Sequence, residues 1–176
     1  MKEKIPIGQI ISFYLQAMLC FYQKKEEEEG SVILHYKETG YDCYDFEHDD
    51  FRLCLRVNND CQLLEIFHNG NIVWNMVVWL EYFDRVAAEK IIEEALLHSL
   101  SRNVWNGGRG MTHLKGQHGT YKNNPKQNNM LYFGGEEILF TPDGKNIGRT
   151  MYFGKANIYL VSPPDIEGQT ACPARW

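Results

Sequence analysis

Arg109, His113, Lys115, His118 and Lys122 place charge or a titratable ring within one short stretch of the chain. Gly107, Gly108, Gly110, Gly116 and Gly119 are interleaved with them. Glycine lets backbone N–H groups close on a ligand, and an arginine fork matches the oxygens of a phosphate or carboxylate. The combination suits the holding of a small anion. Tyr121, Tyr132, Tyr152, Trp74 and Trp79 offer flat surfaces for a ring, and Glu136 completes the candidate ligand-binding set.

Other chemistries find less support. His113 and His118 lack the H-x-x-x-H or H-x-H spacing that aims two imidazoles at one ion, and His48-Asp49-Asp50 would need ligands from elsewhere. No metal and no cofactor is expected. The five cysteines, Cys20, Cys43, Cys54, Cys61 and Cys172, form no C-x-x-C pair and read as packed, reduced thiols. There is no G-x-S-x-G elbow, and Gly107-Gly108-Arg109-Gly110 lacks the Lys-Ser/Thr and helix start of a phosphate-binding loop. Glu136 and Glu137, as strand neighbours, should face opposite ways, one of them buried against a basic partner. An enzyme would be a metal-independent hydrolase or phosphodiesterase using His113 or His118 as general acid or base.

These residues need a scaffold, and 176 residues suffice for one domain with a sizeable core. The formal net charge of −5 argues against a generally basic nucleic-acid binder. It conceals an asymmetry, because residues 102–155 carry eight basic and three acidic groups while residues 1–50 carry five and eleven. Ile5 to Tyr22 is interrupted by Gln9, Ser12 and Gln16, so it reads as an amphipathic helix and not a membrane span. With no signal peptide apparent, the expected compartment is the cytosol, of a bacterium or of a phage-infected host.

Pro6 followed by Ile7, Ile11, Tyr14, Met18 and Phe21 predicts a helix over about 6–25. Period-two alternation then takes over, and Asn69-Gly70 between two such runs is the strongest hairpin signal. Asp84 can cap a second helix to about Ser101, with Ala88, Ile92, Leu96 and Leu100 in a stripe. Residues 103–129 read as a long irregular binding loop with a short strand near Thr120 to Lys122. Strands and a turn at Asp143-Gly144 close the pattern. Ile72, Trp74 and Met76 correspond to Ile147, Arg149 and Met151 if one residue is inserted in the second turn. The expectation is an α+β fold in one domain, 1–160, of two helix-plus-antiparallel-sheet units, about 6–80 and 84–158, sharing one core. Ile72, Trp74, Met76, Ile92, Leu96 and Met151 should be buried, and 161–176 should be a loosely ordered tail.

Gly70-Asn-Ile-Val-Trp-Asn-Met before a helix, Arg109-Gly, Gly119-Thr-Tyr, Phe133-Gly-Gly-Glu-Glu-Ile and Thr150-Met-Tyr-Phe-Gly resemble a bacterial domain-of-unknown-function family. The likeness spans roughly residues 31–158. That family occurs alone or behind repressor-type helix-turn-helix domains, which implies an internal repeat and a ligand-sensing role. The functional expectation is a non-catalytic protein for an anionic, nucleotide-derived ligand, with phosphate near Arg109. Its concrete form is a stand-alone bacterial or phage protein that sequesters a nucleotide immune signal. The third alternative is an interaction domain with no pocket that pairs through an exposed sheet face or an acidic patch, and a homo-oligomer is compatible with all three.

Overall fold

The structure, a computed structural model, describes residues 4–23, 27–28, 31–105, 109–129 and 131–163. In chain order it comprises β1 (Ile5–Pro6), α1 (Ile7–Gln23), β2 (Glu27–Glu28), β3 (Ser31–Glu38), β4 (Tyr41–His48), β5 (Phe51–Val57), β6 (Cys61–His68) and β7 (Asn71–Tyr82). Then follow α2 (Arg85–Leu100), β8 (His113–Lys115), β9 (Thr120–Asn129), β10 (Tyr132–Phe140), β11 (Asn146–Ala156) and β12 (Val161–Ser162). The fold is α+β.

A ten-stranded antiparallel sheet runs in the order β2-β3-β4-β5-β6-β7-β11-β10-β9-β8. Each helix is followed by a meander, and the two meanders meet at their last strands, β7 and β11. The hairpin between β6 and β7 turns where positive φ is needed, at Asn69 (48°) and Gly70 (75°). Asp84 caps α2 as its sequence suggests, its Oδ1 accepting from Ala87 N–H at 3.1 Å.

Both helices join one hydrophobic core with a single face of the sheet. Strand alternation assigns Leu53 and Leu55 of β5, Leu64 and Ile66 of β6, Met76 and Val78 of β7 and Thr150 and Tyr152 of β11 to the helix side, all buried. Beneath α1, Trp74 stacks on Phe133 with ring centroids 5.3 Å apart, and Tyr14 and Trp105 pack against this pair. Gly154 is required there, because a Cβ would lie 2.0 Å from the Phe133 ring.

Trp74, Met76, Ile92 and Leu96 are buried as expected, but Ile72 is 40% exposed and Met151 47% exposed. Met151 belongs to the opposite phase of β11, where Arg149, Met151, Phe153 and Lys155 face away from the helices. Ile72 lies beyond a bulge at Ile66/Phe67 that shifts the β6–β7 register. The correspondence of Trp74 and Met76 with Arg149 and Met151 is therefore out of phase, since the first pair points into the core and the second out of it. Two further boundaries differ. The strand expected near Thr120 runs on to Asn129, kept in register past Pro125 by a bulge at Gly134/Gly135. Val161 and Ser162, assigned to the tail, pair in parallel with Ile5 and Pro6, and Val161 is buried. The remainder of that tail, from 164, with Cys172, and the loop glycines Gly107 and Gly108 lie outside the described residues.

No helix among the described residues is long and apolar enough to cross a membrane.

Candidate functional site

Arg109 does not present its guanidinium to solvent. The side chain is buried at 4% exposure, with Nε 3.4 Å from Glu137 Oε1 and Nη1 donating to Gln62 Oε1 at 3.2 Å. Glu137 is wholly buried and also accepts from the Tyr121 hydroxyl at 2.7 Å and from the Thr150 hydroxyl. The network continues through Asn123, whose Oδ1 accepts from Tyr152 Oη at 2.7 Å and whose Nδ2 donates to Gly110 O. Register explains the assembly, since Glu137 lies opposite Thr150 on one side and Asn123 on the other. Burial is the largest single influence and opposes the guanidinium charge, but Glu137 together with the tyrosines Tyr22, Tyr82 and Tyr121 raises the Arg109 pKa. Burial, then Glu137, pushes the Tyr121 hydroxyl well above the usual phenol range, and Tyr152 upward for the same reasons. Nη2 of Arg109 has no hydrogen-bond partner among the described residues. This is a neutralised interior network and not an open anion cradle.

The glycine-rich stretch does converge its amides on an anion, but that anion belongs to the chain itself. Glu94 of α2 accepts from Gln117 N–H at 2.8 Å and from His118 N–H at 3.2 Å. A Cβ on Gly116 would lie 2.4 Å from this carboxylate, so the close approach read from the glycines is used in tying a loop to a helix. The side chains of His113 and Lys115, on the short edge strand β8, and of His118 beyond it are exposed, and neither imidazole forms an ion pair among the described residues. No group of three metal-ligating side chains occurs among the described residues.

The candidate residues thus fall into separate places. Arg109, Tyr121 and Tyr152 share the interior network. Trp74 belongs to the aromatic core. Trp79 and Glu136 lie on the helix-free face, where Met151 stands between them as cross-strand partner of both. Trp79 lines an open cleft of about 450 Å³ together with Asp60, Glu81, Arg149 and Met151.

Tyr132 marks a different cleft. On the helix-free side, Tyr132, Lys155 and Asn75 are cross-strand partners in β10, β11 and β7, so ring, ammonium and amide lie side by side. These three, with Trp74, Ile72, Asn157 and Tyr159, line a cleft of about 410 Å³. Its rim is built firmly. Asn157 N–H donates to Val73 O at 2.8 Å, Asn157 Oδ1 accepts from Tyr159 N–H at 3.1 Å, and Asn157 O accepts from Leu160 and Val161 N–H. Lys155 is exposed and makes no ion pair among the described residues, and the Tyr159 ring is 82% exposed. Lys155, Asn75, Asn157 and Tyr159 were absent from the sequence-derived set. The alternation Arg149-Met151-Phe153-Lys155 carried a signal for Lys155, but only once the face lacking helices is known.

No protein-family model, curated protein or solved structure matches this chain.

Proposed function

We propose that this chain is a non-catalytic binding protein for a small anionic, ring-bearing ligand of the nucleotide class, taken up in the cleft of Tyr132, Lys155 and Tyr159. The observation that carries the reading is the cross-strand row Tyr132–Lys155–Asn75 flanking a cleft of about 410 Å³. That volume falls in the range of small-molecule sites. An ammonium with no ion pair among the described residues suits a phosphate or carboxylate, the two tyrosine rings suit a base, and the amide of Asn75 suits its polar edge. Arg109, the anchor expected from sequence, is engaged by Glu137, which moves the anion-binding role to Lys155.

The motif resemblance to domains fused behind repressor-type regulators supports a sensing or sequestering role, and the phage or bacterial sequestering protein is its concrete form. We also read the two meanders as one unit used twice. The support is topological, each helix preceding a meander whose last strand lies at the centre of the sheet. The test of the ligand reading is native mass spectrometry of the freshly purified chain beside a denatured sample. A co-purifying, ultraviolet-absorbing anion that is lost from a Lys155→Ala variant supports it. A chain that carries none, and that takes up none of the four common nucleoside monophosphates at millimolar concentration, overturns it.

A further inference from the structure

The helix-free face of the sheet carries an apolar centre that no described residue covers. Trp79, Met151 and Phe153 are 50%, 47% and 49% exposed, and Val77 and Leu63 beside them are half-buried. The register makes these one patch, with Trp79 opposite Met151 and Val77 opposite both Phe153 and Leu63. Antiparallel sheets tolerate water on one face, but such faces are normally polar. Half-exposed aromatic and methionine side chains on adjacent strands mark a surface that binds protein.

The charges around the patch indicate which protein. Arg52 is held by Asp45 and Glu47, Arg56 by Glu38 and Glu65, and Arg149 by Glu81 at 2.5 Å with Glu136 near. A chain of net charge −5 thus presents on this face arginines that each have carboxylates to match. Lys155, at the margin of the patch, has no ion pair among the described residues, but at its centre a partner of one charge sign finds no excess to pair with. A second copy does find complementarity, because of the way β7 and β11 lie side by side.

We infer that this face is the interface of a two-fold dimer, two sheets packed face to face about an axis that lies midway between them, over the β7–β11 seam and parallel to it. Such an axis sets each residue of one strand over its own cross-strand partner in the other copy. Arg149 then meets Glu81, Met151 meets Trp79 and Phe153 meets Val77, each contact occurring twice. Ten strands at about 4.8 Å spacing make the face roughly 40 Å wide and about 25 Å along the strands. The area at hand exceeds the roughly 800 Å² per partner of a stable interface. Packed sheets lie about 10 Å apart, a gap that the Trp79, Met151 and Phe153 side chains can fill. The dimer rests on Trp79, Met151, Phe153, Arg149 and Glu81; the same axis brings Lys155 toward Asn75 of the second copy, so the ligand cleft lies at the margin of this interface, and sedimentation of the ligand-free chain tests the dimer apart from the ligand reading.

Sedimentation equilibrium on the full chain from 1 to 100 µM tests it, with circular dichroism to show that each variant keeps the wild-type fold. The wild type should have twice the 20.5 kDa chain mass. Trp79→Lys should dissociate at least a hundredfold more readily, and Phe153→Lys replaces it should the first variant fail to fold. Arg149→Glu and Glu81→Arg should each be monomeric alone, since each sets like charges across the axis. Mixed in equal amounts they should form a heterodimer, because the two carboxylates that the first variant carries at positions 81 and 149 then meet the two guanidiniums of the second. A wild type that stays monomeric at 100 µM overturns the proposal, as does a dimer that Trp79→Lys leaves intact. Failure of the two charge variants to associate when mixed overturns the two-fold register.

Discussion

Replacing Arg109 by alanine should cost the fold a large part of its stability. The guanidinium is buried, and it is the cationic partner of a wholly buried carboxylate, Glu137. Its removal leaves Glu137 with the hydroxyls of Tyr121 and Thr150 but with no counter-charge. Breaking a buried ion pair from one side costs about 3–5 kcal/mol, because the remaining charge stays desolvated and unpaired. For a domain of this size each kcal/mol lowers Tm by about 2–4 °C, so a fall of about 6–20 °C is expected. Removing both charges with volume kept should be milder. Arg109→Met/Glu137→Met should be more stable than Arg109→Ala, since no charge then remains to be solvated. Urea titration at pH 7 gives both differences, and thermal melting checks them. A change within about 0.5 kcal/mol for Arg109→Ala, the range of an ordinary surface substitution, would refute the buried network and return Arg109 to the role of a ligand anchor.

Two further outcomes follow from the same geometry. Glu94→Ala should leave the Gln117 and His118 amides without their acceptor, lowering stability by about 1–2 kcal/mol. Amide hydrogen exchange should rise at those two positions and not along β10. Alkaline pH should unfold the chain sharply. Tyr14, Tyr121 and Tyr152 are buried and have pKa values raised chiefly by burial. Below the free phenol pKa of about 10 both states keep these protons and stability is unaffected. Above it the unfolded chain releases them and the folded one does not, so stability falls as pH climbs toward the folded values. Thermal melts between pH 8 and 11.5 should be flat up to about pH 10 and then fall steeply.

Elements whose signals are local were legible in the sequence. The Asn69-Gly70 hairpin, the Asp84 cap and the stripe of Ala88, Ile92 and Leu96 each depend on neighbouring residues alone, and each is present. What alternation could not supply was which face the helices cover. A strand such as Arg149-Thr-Met-Tyr-Phe-Gly-Lys has apolar residues in both phases, and its inward set is fixed by partners on other strands, Thr150 by Glu137 of β10 and Tyr152 by Asn123 of β9. Alternation alone therefore assigns Met151 to the core and leaves Lys155 unmarked. The glycines between 110 and 119 read as a close backbone approach to a ligand, whereas the amides of Gln117 and His118 converge on a carboxylate of the chain itself. Their carboxylate, Glu94, comes from a helix earlier in the chain, and a helical glutamate carries no mark distinguishing it from its solvated neighbours. The pair Glu136-Glu137 did announce one buried acid, because adjacent strand residues must face opposite ways, and Glu137 is that acid.

The ligand reading stands or falls on which cation meets the anion. Calorimetric titration with an equimolar mixture of the four nucleoside monophosphates should compare the wild type with Lys155→Ala, Tyr132→Ala and Arg109→Lys, each at a temperature where its folding is verified. Losing a charge-assisted hydrogen bond of about 1.5–3 kcal/mol corresponds to a roughly ten- to hundredfold loss of affinity. Lys155→Ala should show that loss and Tyr132→Ala a smaller one, while Arg109→Lys binds as the wild type does. Undiminished binding by Lys155→Ala, with binding abolished in a folded Arg109→Lys, would contradict the account.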